Sequence, residues 1–196
     1  TDSGRYLLTA RDASRSETRN FSYRLQETSL AELSPGAVYS GNFMSSGQAQ
    51  LCRIELPEST RLRIRLDDAA ANNVNEIYVK LGSPPTRGSY DYRFGTAASS
   101  DQQIVVPMAV QGTWYVLVYG DIVNTPSAYT LLAETSDIFL QSVTPDHHGI
   151  GVDTLVAVTG VGFDPGTQVE MVNPVGTTYP ADTINVDSST HLTAWF

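Results

Sequence analysis

Between two short apolar runs the chain carries Asp67, Asp68, Asn72, Asn73, Asn75 and Glu76, three carboxylates and three amides in close succession. Calcium takes about six to eight hard oxygen ligands, and Asp67, Asp68, Asn73, Asn75 and Glu76 could supply several of them. The segment lacks the glycine and the fixed spacing of an EF-hand loop. The competing reading is a polar turn whose Asp and Asn side chains bond to nearby backbone. A second candidate is Tyr90, Tyr92 and Phe94, which alternate with Asp91 and Arg93. Strand alternation puts the three rings on one face, where they would stack against sugar rings if exposed or fill a core if buried.

Arg61, Arg63 and Arg65 alternate with Leu62, Ile64 and Leu66. The apolar three face a core and the arginines line the other side, where they could hold a carboxylate polymer. Glu55 and Glu58 could equally neutralise them across a hairpin. His147 and His148 are adjacent, so on an extended chain their rings point to opposite faces, and a solvated loop is the simpler reading than a metal site. The remaining histidine is His191, and no Gly-x-Ser-x-Gly, His-Glu-x-x-His or phosphate-cradling glycine loop is present. No catalytic constellation emerges, and the chain is expected not to be an enzyme. Cys52, the single cysteine, shares a face with Ile54 and Leu56. It should be a small buried hydrophobe without a neighbour to activate the thiol.

The elements that must position these residues are almost all strands. Short alternating runs separated by Gly, Pro, Asn and Asp clusters occur at Phe21 to Glu27, Val38 to Phe43, Gln50 to Leu56, Arg61 to Leu66, Glu76 to Leu81, Tyr90 to Phe94, Gln102 to Val106, Thr113 to Tyr119 and Ala128 to Ala133. This succession is the signature of an all-β sandwich or barrel. Only Ser29 to Leu33, ended by Ser34-Pro35-Gly36, has the pattern of a single helical turn. Thr113 to Tyr119 is apolar on both faces, so both should be covered, one by the opposite sheet and the other by a long loop or a neighbouring module. Near Thr135 to Phe139 the pattern changes, and strands follow at Leu140 to Pro145, Thr154 to Gly162, Val169 to Val172, Thr183 to Val186 and Leu192 to Phe196.

The chain has 196 residues, 41% of them hydrophobic, enough for one large or two small cores. Its net charge of -9 is uneven: the last basic residue is Arg93, and positions 94 to 196 hold ten acids with no Lys or Arg. Such a surface repels phosphate backbones and anionic lipid, which argues against nucleic-acid and membrane-surface partners. No apolar run is long enough to span a bilayer.

Residues 36 to 133 resemble the bacterial pre-peptidase C-terminal domain family. The resemblance rests on Pro35-Gly36 with Tyr39-Ser40-Gly41, on Leu51 to Leu56, Leu62 to Leu66 and Asn75 to Val79. Above all it rests on Gly112-Thr113-Trp114-Tyr115-Val116-Leu117-Val118-Tyr119-Gly120 with Tyr129-Thr130-Leu131. Ser142-Val143-Thr144-Pro145 and Val158-Thr159-Gly160-Val161-Gly162-Phe163 make residues 138 to 196 similar to the first part of an IPT/TIG domain. The resemblances imply an all-β chain of two tandem antiparallel β-sandwiches, a jelly-roll or Greek-key-like module over 21–136 and an incomplete immunoglobulin-like module over 137–196. Residues 1–20 read as a closing strand of a preceding module plus a linker, because Ser3 to Ala10 echoes Ser127 to Ala133. The last strand, at Trp195-Phe196, leads us to expect further chain or a partner beyond it. Some clostridial collagenase modules of the first family bind calcium and collagen, the calcium sitting in an acidic segment before the first strand. Ala13 to Asn20 is basic here, so that site does not carry over.

The implied role is a non-catalytic structural or adhesive part of a large bacterial protein, extracellular or at the cell surface. Its partners would be neighbouring modules of the same chain, like subunits or an extracellular polymer. The alternatives are a substrate- or carbohydrate-binding accessory module of a secreted hydrolase and a subunit of a self-assembling extracellular fibre. Calcium is the one cofactor that the residues suggest.

Overall fold

The computed structural model describes residues 29–147 and 153–196, and these are all-β with no helix. The expected strand at Phe21 to Glu27, the segment Ser3 to Ala10 and His148 lie outside the described residues.

Alternation in the sequence becomes two facing sheets. One contains β1 (Leu30–Glu32), β3 (Gln48–Leu56), β5 (Val74–Leu81), β6 (Tyr92–Arg93) and β8 (Gly112–Ile122), in the order β1-β3-β8-β5-β6. The other contains β2 (Val38–Phe43), β4 (Thr60–Asp68), β7 (Gln102–Ala109) and β9 (Ser127–Ser136), in the order β2-β9-β4-β7. Every second residue points inward, so Cys52, Ile54, Ile77, Val79, Trp114, Val116 and Val118 of the first sheet meet Leu62, Ile64, Leu66, Ile104, Val106 and Leu131 of the second in one core. Burial of each large aliphatic side chain there contributes about 1.5–3 kcal/mol.

Three expectations need correction. Ser29 to Leu33 is not a helical turn: Leu30–Glu32 pairs in parallel with Leu51, Cys52 and Arg53. Tertiary contacts outweigh local propensity there, because Leu33 is drawn into the core and its N–H donates to the Arg53 carbonyl. Next, β3 and β4 do not form a hairpin, since the connection between them crosses from one sheet to the other. Glu55 therefore cannot neutralise the arginine row and instead accepts from the Thr113 hydroxyl at 2.8 Å. The row's acidic partner is Glu134 on β9, which pairs with Arg63 at 3.0 Å and Arg65 at 3.3 Å. Finally, Tyr90, Tyr92 and Phe94 do not share a face. Only Tyr92 and Arg93 pair with β5, and the bends on either side break the alternation.

After β9 come β10 (Phe139–Thr144), β11 (Leu155–Val161), β12 (Glu170–Val172), β13 (Thr178–Pro180), β14 (Thr183–Ser188) and β15 (His191–Trp195). Strands β10-β11-β15-β14 form a four-stranded sheet, and β12 pairs with β13 alone. A small core of Val156, Val158, Phe163, Leu192 and Ala194 packs on the inner face.

Candidate functional sites

The alternation that builds the sheets also divides the suggested calcium ligands. Asp67 is exposed while Asp68 turns inward, and Asn75 turns inward while Glu76 faces out. The inward set converges at one end of the first sandwich. Asp68 on β4 and Asn75 on β5 come from facing sheets, and Asn73 lies between them in the connecting turn.

Asp68 is 5% exposed and its carboxylate accepts four hydrogen bonds. One oxygen takes the Ser127 hydroxyl and the Ala70 N–H, the latter at 3.0 Å; the other takes the side-chain amides of Asn73 at 3.1 Å and Asn75 at 2.7 Å. Burial alone would raise the carboxyl's pKa. The bonds from Ser127, Ala70, Asn75 and Asn73 outweigh it and hold the group below the usual carboxylate range. The Asn73 amide reaches the Thr125 carbonyl at 2.9 Å, and the Asn73 oxygen accepts the Thr125 N–H at 3.1 Å. The Asn75 amide reaches the Ser100 carbonyl at 2.8 Å. Gln102 completes the network, its amide nitrogen lying within 2.8 Å of the Asn75 and Thr96 carbonyls. Two buried acceptors, Asn75 Oδ1 and Gln102 Oε1, find no partner among the described residues. The arrangement ties three loop segments to the sandwich end.

Glu76 does a separate job on the outer face. Arg87 grips it through Nε at 2.7 Å and Nη2 at 2.8 Å, and Nη2 also reaches Asp121 at 3.0 Å. Tyr78 donates its hydroxyl to Glu76 at 2.8 Å, and the Arg87 guanidinium lies 4.5 Å over the Tyr119 ring. These contacts draw the loop between β5 and β6 across the outer face of β5 and β8. The second apolar face of the Thr113 to Tyr119 strand is thus partly covered by a long loop of the same sandwich. Among the described residues no group of three or more His, Cys, Asp or Glu is placed to hold a metal ion.

The aromatic trio divides between the two faces of its sheet. Tyr92 packs against the core with its ring 6.3 Å from Trp114. Tyr90 and Phe94 flank Tyr78 at 5.2 and 5.8 Å on the opposite side, and all three trio residues are half-buried. Cys52 is fully buried, and burial pushes its thiol up to about 12. His147 is exposed with Asp146 at 2.6 Å, and His191 meets Asp187 at 2.8 Å.

Sequence reasoning missed the residues that complete these networks. Ser127, Thr125 and Gln102 lie far along the chain from Asp68, and no local pattern marks them. It also left unassigned the contact between the first sandwich and the strands after β9. Phe139, 4% exposed, sits under the Arg63 guanidinium at 4.6 Å, and Gly162 lies against Arg61 and the Asp137 carbonyl.

Residues 49–120 match the family model of the bacterial pre-peptidase C-terminal domain. Among solved structures, the chain is similar to the pre-peptidase C-terminal domain of collagenase from Bacillus anthracis, at 13% identity and a TM-score of 0.43, over 58% of this chain and 100% of that one. It is also similar to PliG, a periplasmic inhibitor of g-type lysozyme from Aeromonas hydrophila, at 12% identity and a TM-score of 0.39, over 56% of this chain and 98% of that one. No curated protein matches.

Proposed function

We propose that this chain is a non-catalytic structural segment of a larger secreted or cell-surface protein, in which it spaces and orients neighbouring modules. The observation that carries the reading is the junction. Only Asp137 and Ile138 separate β9 from β10, and a linker of that length reaches at most about 7 Å. The Ser136 hydroxyl donates to the Ile138 carbonyl at 2.8 Å, which ties the linker further.

Three further points support it. The family match over 49–120 is to the bacterial pre-peptidase C-terminal domain. The strands after β9 build a separate four-stranded sheet with its own small core, as a second module would. The charged and amide side chains at Asp68 and Glu76 are engaged in holding loops, so calcium is no part of this reading.

The rival with a specific observation behind it is an accessory module that holds a polysaccharide, since Tyr90 and Phe94 stand half-exposed around Tyr78. Retention of the 196-residue chain on collagen, peptidoglycan and insoluble polysaccharides separates the two. The spacer reading predicts no retention above an inert control protein. Saturable retention abolished by Tyr90→Ala would overturn it in favour of the accessory module.

A further inference from the structure

We propose that Arg61 and Arg63 form the seat of a fixed-angle joint, on which Phe139 of β10 and Gly162 at the end of β11 are clamped. The inference rests on the spacer reading and names the residues that would set the angle.

The arginine row lies on the outer face of the sheet that contains β4, the side opposite the core residues Leu62, Ile64 and Leu66. Arg63 is held from beneath by Glu134 at 3.0 Å, which aims its guanidinium over the Phe139 ring at 4.6 Å. A desolvated guanidinium over an aromatic face is attracted to the ring's quadrupole, and its planar fork keeps the carboxylate bond at the same time. Phe139 pairs across the ladder with Val161, and both are 4% exposed. Neither belongs to either sandwich core, so the two form an apolar plug specific to the junction.

Gly162 is the second half of the clamp. Its N–H donates to the Ser189 carbonyl at 2.8 Å, which fixes it in the second sandwich. Its φ of +95° favours glycine, and a Cβ there would lie 2.1 Å from the Asp137 carbonyl oxygen and 2.8 Å from Arg61 Nε. A Cβ on Gly160 would likewise lie 2.3 Å from the Phe139 carbonyl oxygen. Gly162 thus lets the chain after β11 touch linker and arginine backbone-first, and Gly160 lets β11 lie close against β10. The Gly-Val-Gly-Phe spacing in the sequence marks a joint as well as a turn.

Spin labels at Glu58→Cys and Asp182→Cys, both exposed positions in different sandwiches, measure the joint by pulsed dipolar spectroscopy. Cys52 is buried with its thiol pushed up to about 12, so it does not compete for the label. The expected result is one narrow distance peak that broadens in Arg61→Ala/Arg63→Ala and stays narrow in Arg65→Ala. Phe139→Leu, which keeps an apolar side chain but loses the ring face, should broaden the peak as well and serves if the double variant misfolds. A peak as narrow in the double variant and in Phe139→Leu as in the wild type would overturn the clamp and leave the spacer reading standing. A broad distribution already in the wild type would overturn the fixed angle itself.

Discussion

A carboxylate taken out of water must be surrounded by donors, and Asp68 finds four from segments spread between Ala70 and Ser127. In Asp68→Asn one acceptor oxygen becomes a donor and faces either the two amides or the hydroxyl and N–H. The expected loss is about 2–4 kcal/mol, read as a lower denaturation midpoint with an unchanged slope. Because the folded pKa lies below the unfolded one, the contribution of Asp68 is fully present above the unfolded value and disappears as pH falls through the folded value. Acid titration of stability should therefore be shallower in Asp68→Asn than in the wild type. Added calcium should leave both melting curves unmoved. Residue types in the Asp67 to Glu76 segment were legible as a polar cluster. Their division between two faces went unread, since Asp67, Asp68, Asn73, Asn75 and Glu76 were grouped as one site although alternation separates Asp67 from Asp68 and Asn75 from Glu76. Ser127 and Gln102 were not legible, because hydrogen bonds between distant segments leave no periodic trace.

At the level of elements, period-two alternation located nearly every strand, because a strand with one buried face must write that face into its sequence. It did not tell which strands pair. The row Arg61 to Leu66 gave the inward face of β4 correctly, yet its neighbours are β7 and β9, and nothing in the local pattern separates them from β3. Where a strand shrinks to two paired residues, as in β6, alternation ceases to constrain the flanking rings. Edge strand β2 relies on a different device: Tyr129 lies directly across from Gly41 and lays its ring over the bare backbone, stacked at 4.4 Å on Phe43. A Cβ on Gly41 would lie 2.4 Å from that ring. Gly41→Ala should cost about 1–3 kcal/mol, measured by chemical denaturation, whereas Gly36→Ala meets no neighbour and should cost only the strain of its positive φ.

On the scale of the whole molecule, the first sandwich and the strands that follow it differ in how they are built and touch where they meet. The first closes around a large core and binds its loops through Asp68 and Glu76; the second packs a smaller core and leans on the arginine row through Phe139. Every Lys and Arg lies at or before Arg93, within the part of the chain that precedes β10. The arginine row of the first sandwich therefore meets a second unit that has no Lys or Arg of its own. The shift in pattern near residue 137 falls where β9 ends and a separate four-stranded sheet begins. The contact between modules was not legible, because it depends on faces that alternation marks only as solvent-facing. The central claim is that this chain holds its modules in a set orientation, and residual dipolar couplings of the weakly aligned 196-residue protein test it most directly. Couplings from both sandwiches should fit one alignment tensor with the interdomain geometry described above. Two tensors of clearly different magnitude would contradict the account.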